Sequence, residues 1–116
     1  MPERGEIWLA DLNPKHGTEP GKTRPVLIVQ CQALLNADHP STLIIPLTTN
    51  LIEGAEPLRI HVPASGRLSQ DSDLIIDQLR AIDNRRLVSG PLTRLDQYLM
   101  ARVNEAIGEI LGLMDE

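Results

Sequence analysis

Phenylalanine is absent from this chain of 116 residues, and Trp8 and Tyr98 are the only other large aromatics. So small an inventory argues against a nucleic-acid module that stacks many bases on rings. Cysteine occurs once, as Cys31, which allows no internal disulfide. With no secretory-signal pattern at the N-terminus, a reducing cytoplasm is the expected location. No apolar run is long enough to cross a bilayer. Positive charge is in deficit too. Eleven Lys and Arg against sixteen Asp and Glu give a net charge of −5 at pH 7, unlike a sequence-blind DNA binder, which is basic overall. His16, His39 and His61 are far apart and lack metal-ligand spacing, so no structural zinc site is expected. Gly21-Lys22-Thr23 follows Gly17 after three residues, one fewer than the phosphate loop of nucleotide hydrolases requires, so that loop is not expected. Cys31 has no basic neighbour in sequence to lower its pKa and is a poor nucleophile. No metal or cofactor is expected.

What is present is enough apolar residue, 41%, for one modest core and a single domain over residues 1–116. Nine of the eleven basic residues are arginine, the better bidentate partner for phosphate. Their distribution is uneven. Residues 78–94 hold Arg80, Arg85, Arg86 and Arg94 against Asp83 alone, whereas residues 95–116 hold five acids against Arg102.

Ile7-Trp8-Leu9 and Leu12 predict a first strand that ends at Asn13-Pro14. Residues 14–24 read as a long loop and Pro25–Gln30 as the second strand. Residues 31–41 carry weak helical signals. Thr42–Leu47 is a third strand, expected at an edge or bulged because Pro46 lies inside it. After a loop over 49–57, Leu58–Val62 alternates like a strand with one wet face. Ser72–Ala81 reads as one continuous strand, in which Asp77 and Leu79 share one face and Gln78 and Arg80 the other. Asp83–Leu87 is expected as a short helical turn, broken by Ser89-Gly90-Pro91. From Thr93 onward Leu95, Leu99, Val103, Ala106, Ile110 and Leu113 form one helical stripe, with Thr93 and Asp96 resembling a capping box. The expected fold is α+β, mostly β: a small barrel or sheet closed by the terminal helix.

Arg24 stands where a Gly/Pro-rich loop enters the Val26–Val29 strand, anchored on one side and open on the other. That placement suits phosphate binding, although taken alone a surface salt bridge is the plainer reading. Thr48 and Thr49 follow the apolar run Ile44–Leu47 at a second strand end, where a turn-capping role is the plainer reading. Asp77 follows Leu74-Ile75-Ile76, where a half-buried carboxylate would need partners.

Together, Arg4-Gly5-Glu6-Ile7-Trp8-Leu9, Gly17-Thr18-Glu19-Pro20-Gly21-Lys22-Thr23-Arg24-Pro25-Val26, Ile45-Pro46-Leu47-Thr48 and Asp77-Gln78-Leu79-Arg80-Ala81-Ile82-Asp83 resemble the MazF/PemK/Kid toxins, in that family's order and spacing. The resemblance implies an SH3-like barrel of the CcdB/Kid/MazF type with a C-terminal helix, a homodimer, and ribosome-independent cleavage of single-stranded RNA at short specific sequences. It also implies a cognate antitoxin whose acidic, partly disordered tail fills the RNA groove. In metal-free cleavage the adjacent 2′-hydroxyl attacks the phosphate, and the protein must stabilise the negative charge that develops. The resemblance assigns that task to Arg24, with Thr48 orienting the phosphate. Lys22, Thr49, Gln78 and Arg80 are the implied RNA contacts, and Asp77, Glu19 and His16 are the candidates for general base.

Thr18 stands where one branch of the family has histidine, Ile75 where that branch has arginine, and Pro20 where glutamine is common. That branch's Arg-Asp-His mechanism therefore does not carry over. A gyrase poison like CcdB, a related barrel that cuts nothing, is the alternative. It would present outward-facing residues at the end of the terminal helix, where this chain reads Gly112-Leu113-Met114-Asp115-Glu116.

Overall fold

Alternating apolar residues in β1 (Glu6–Asp11) send Ile7 to one face of a sheet and Trp8 and Ala10 to the other, and this division organises the molecule. The computed structural model describes residues 1–113. After β1 come β2 (Thr23–Ile28), α1 (Gln32–Asn36), β3 (Ser41–Thr48), β4 (Arg59–Val62), β5 (Ser72–Ile75), β6 (Arg80–Asp83), β7 (Leu87–Arg94) and α2 (Gln97–Ile110). All seven strands belong to one antiparallel sheet in the order β4-β5-β3-β2-β1-β7, with β6 also paired to β3. On one face Ile7, Leu27, Ile45, Leu47, Ile60 and Leu74 pack with Val103 and Ala106 of α2. On the other, Ala10, Val26, Ile28, Ile44 and Ile82 pack with Leu35 of α1 and the partly buried Trp8.

The sheet is not closed by a strand ladder between β4 and β7. It curls, since residues from β1 and β4, at nearly opposite ends of the strand order, share one core. The loop between β4 and β5 then seals the seam. Arg67 N–H donates to the Leu92 carbonyl at 2.7 Å, and the Ser65 and Thr93 hydroxyls lie 2.8 Å apart. Gly66 makes this approach possible, with φ +53° and a Cβ position that would lie only 2.7 Å from the Leu92 oxygen. The result is barrel-like, closed by a loop.

Four expectations about elements are corrected. β3 is a central strand, because Pro46 lies where the partner on one side changes: β6 pairs as far as Ile44, and β5 begins at Leu47. The missing N–H therefore falls between two ladders. Ser72–Ala81 is not one strand. Between Leu74, opposite Leu47, and Arg80, opposite Ile44, the chain carries three more residues than β3 does. A 3-10 turn at Ile76–Gln78 absorbs them, so Asp77 and Gln78 sit on a protrusion and the alternating-face reading fails. Asp77 is exposed, not half-buried. Ser89-Gly90-Pro91 lies inside β7, a strand the Gly-Pro signal concealed. Gly90 is there because a side chain would strike the Trp8 ring. Finally, Thr93 belongs to β7, and Asp96 caps α2 by accepting from Leu99 N–H at 2.8 Å.

The stripe on α2 is buried at Val103 and Ala106 and partly buried at Leu99 and Ile110, while Leu113 falls beyond the helix and is exposed. Met114-Asp115-Glu116, on which the gyrase-poison comparison turned, lie outside the described residues.

Candidate functional site

The register of β2 against β3 places the two leading candidates face to face. Val26 pairs with Pro46, so two residues further along the same register Arg24 stands opposite Thr48. Both lie at the end of the sheet where the β1–β2 and β3–β4 loops emerge. Arg24 sits inside the first residues of β2, which begins at Thr23 rather than Pro25 as expected. Its Nε donates to the Gly21 carbonyl at 3.0 Å and its Nη1 to the Leu47 carbonyl at 3.3 Å. Guanidinium has five N–H donors, so three remain for a ligand. Among the described residues no carboxylate pairs with it. The salt-bridge reading of Arg24 is thereby replaced. Partial burial pulls its pKa below the ordinary arginine value, and it remains cationic at neutral pH.

Thr48 accepts from Asn50 N–H through Oγ1 at 3.1 Å, which is the turn-capping bond of a strand end. That bond uses a lone pair and leaves the hydroxyl proton free to donate. Arg24 and Thr48 line an open cleft of about 350 Å³ with Lys22, Pro25, Leu47, Thr49, Asn50 and Ser72. Lys22 and Thr49 are exposed on its walls. Lys22 has a left-handed backbone, φ 69°, fixed by Asn13 Oδ1, which accepts its N–H at 2.8 Å. Gly21 is required beside it, since a Cβ there would come within 2.8 Å of Lys15 Cβ. The 14–24 segment is thus a pinned hairpin.

The remaining candidates lie outside this cleft. Asp77 and Gln78 line a second cavity of about 350 Å³ together with Thr18 and Pro20 of the β1–β2 loop and Leu58 and Arg59. Glu19 forms an ion pair with Arg80 at 3.6 Å, which ties the β1–β2 loop to β6. His16 is exposed at the hairpin tip, where its carbonyl accepts from Glu19 N–H. None of the three candidates for general base lines the Arg24 cleft.

Sequence reasoning missed a buried network under the β3–β4 loop. Asp73 is only 2% exposed; its Oδ2 accepts from Ile52 N–H at 2.9 Å and pairs with Arg59 Nη1 at 3.2 Å. Arg59 also donates to the Asn50 carbonyl at 2.9 Å, and His61 Nδ1 lies 3.4 Å from Asp73 Oδ1. The signal was in the sequence: Asp73 stands between Ser72 and an apolar run, and the alternation of β4 places Arg59 and His61 on one face.

Among the described residues no group of three His, Cys, Asp or Glu gathers as a metal site. Nor is any helix among the described residues long and apolar enough to cross a membrane.

Comparison with known proteins gives a consistent result. The chain is 32% identical over 114 residues to Endoribonuclease EndoA of Bacillus subtilis, covering 97% of each. It is 35% identical over 114 residues to Endoribonuclease MazF of Staphylococcus saprophyticus, covering 97% of this chain and 93% of the relative. The crystal structure of MazF from Deinococcus radiodurans superposes with a TM-score of 0.79 at 24% identity, over 96% of each chain. Residues 3–111 match the family described as PemK-like, MazF-like toxin of type II toxin-antitoxin system, and the chain belongs to that family.

Proposed function

We propose that this protein is the toxin of a type II toxin–antitoxin pair and acts as a ribosome-independent, sequence-specific endoribonuclease on single-stranded mRNA in the cytoplasm. The observation that carries the reading is the Arg24–Thr48 cleft. It holds three unengaged guanidinium donors and one free hydroxyl proton, and no carboxylate among the described residues lines the space.

The chemistry follows from that arrangement. The 2′-oxygen adjacent to the scissile phosphate attacks phosphorus and loses its proton. The bond from phosphorus to the 5′-oxygen breaks, and the leaving oxygen gains a proton. The products are a 2′,3′-cyclic phosphate and a 5′-hydroxyl. Negative charge builds on the non-bridging oxygens, where the Arg24 fork and the Thr48 hydroxyl donate to them. Arg24 acts as a fixed cation, since guanidinium does not give up its proton. No metal is needed to offset the charge. Asp77, Glu19 and His16 are the candidate proton acceptors; Glu19 and His16 belong to the β1–β2 loop that also carries Lys22 to the cleft, and Asp77 lines the neighbouring-loop cavity with Thr18 and Pro20.

An acidic antitoxin tail would occupy the same cleft through Lys22 and Arg24, while Arg80 already has Glu19 as partner. The working unit is taken to be a homodimer. Base preference is assigned to the β1–β2 and β3–β4 loops, which carry Thr18 and Thr49, with Gln78 contributed by the 3-10 turn between β5 and β6.

Primer extension on a long RNA with EDTA present tests the reading. Discrete stops at one short recurrent sequence are expected, with 5′-hydroxyl ends. An intact RNA, or cleavage that requires added magnesium, would contradict it.

A further inference from the structure

Six basic side chains have no carboxylate within 4.0 Å among the described residues: Arg4, Lys15, Lys22, Arg24, Arg67 and Arg86. Three of them border one continuous groove. The Arg24 cleft shares Pro25, Thr49 and Ser72 with a chamber of about 310 Å³ at the barrel seam, whose other walls are Leu9, Leu68, Leu92, Arg67, Ser69 and Gln70. Among the described residues neither space has an Asp or Glu in its lining, although the protein carries sixteen. The three other principal cavities each contain at least one, namely Asp73 with Glu53 and Glu56, Asp38, and Asp77. On an acidic protein, a tract that excludes carboxylates and gathers unpaired cations attracts a polyanion.

The chamber also has the chemistry of a base site. Leu9, Pro25 and Leu92 offer partly exposed aliphatic walls. Ser69 and Gln70 are exposed at the rim, and only the Gln70 backbone carbonyl is engaged, by Ser72 Oγ at 3.0 Å. The Gln70 amide therefore keeps both its donor and its acceptor for a base edge. Arg67 is held in place by one side-chain bond, Nη2 to the Pro91 carbonyl at 2.9 Å, and is otherwise exposed, which leaves its remaining donors unengaged. This combination, apolar walls with a few convergent polar groups, is that of a ligand pocket.

We propose that the seam chamber is a nucleotide subsite of the single-stranded RNA groove: it seats a nucleotide flanking the scissile phosphate, with Arg67 binding its phosphate and Gln70 reading its base. The inference rests on the nuclease reading for its choice of substrate and extends the groove beyond the reacting atoms. Sequence preference then has a contributor on the β4–β5 loop, far in sequence from Arg24.

The test uses the full chain and a short single-stranded RNA of random sequence with 2′-fluoro at every position, which offers phosphates and bases but no nucleophile. Arg67→Ala is expected to weaken binding roughly five- to tenfold and to reduce the slope of log K against log salt by about 0.7, the share of one phosphate on a single strand. Arg67→Gln, which keeps an N–H for the Pro91 carbonyl, should do the same and serves if the alanine variant does not fold. Arg85→Ala removes the same charge outside the groove and is expected to change neither quantity. In cut-site mapping, Gln70→Ala is expected to flatten base preference roughly tenfold at one position beside the cut. Loss of slope in Arg67→Ala supports the subsite even if the wild-type protein cuts no RNA, an outcome that would sink the nuclease reading alone. Wild-type cleavage with unchanged slope and unchanged cut sites in both variants overturns the subsite and leaves the nuclease standing.

Discussion

Arg24→Ala is expected to lower the rate of RNA cleavage by roughly 10³-fold while leaving the fold intact. The size follows from where the side chain sits. Its donors are fixed by the Gly21 and Leu47 carbonyls, so no reorganisation is needed when charge appears on the phosphate. Removing it takes away the only cation that the cleft holds with a backbone scaffold, since Lys22 is exposed on the wall. Stability should hardly change, because no carboxylate among the described residues loses a partner. Arg24→Lys keeps the charge but loses the planar fork, and is expected to recover only part of the rate. Single-turnover kinetics on one mapped site, with urea unfolding as the control, reads both. A folded Arg24→Ala protein that cuts within a few-fold of wild type would remove Arg24 from the mechanism.

Asp73→Ala is expected to cost roughly 3 kcal/mol of stability in urea unfolding. The carboxylate is buried, and its removal leaves Ile52 N–H without an acceptor and Arg59 without its charge partner. Arg59 holds Asn50 as well, so the loss propagates to the loop directly after Thr48 and Thr49. Hydrogen exchange in residues 49–58 should rise with the loss of stability. Asp73→Leu combined with Arg59→Met should recover a large part of the cost, because an apolar pair leaves no unpaired charge. A change below about 0.5 kcal/mol in Asp73→Ala, typical of a surface site, would show that the network does not hold the loop.

The family and the outline of the fold were legible in the sequence because four motifs in register constrain one another. Arg24 and Thr48 were individually ordinary, and it is the Val26–Pro46 register that sets them opposite one another. The errors share a cause. Local rules make Pro46 a signal for an edge or bulge and Gly90-Pro91 a break, because they do not know which partner a strand will have. Pro46 is central where two ladders meet end to end, and Gly90 is in a strand because Trp8 needs the space. The single strand read over Ser72–Ala81 failed for a related reason. Three extra residues relative to β3 must be extruded, and nothing within the segment announces that count. The carboxylate-free groove was likewise invisible, since it joins Arg67 and Gln70 to Lys22 and Arg24 only through folding.

The central claim is that the substrate supplies its own nucleophile and the protein supplies fixed positive charge around the phosphate. Two RNA oligonucleotides, identical except that one has hydrogen in place of the 2′-hydroxyl at the mapped cut, test it most directly. The proposed chemistry predicts rapid cleavage of the first to a 2′,3′-cyclic phosphate and no cleavage of the second at that bond. Cleavage of the deoxy-substituted oligonucleotide there at a comparable rate would contradict it.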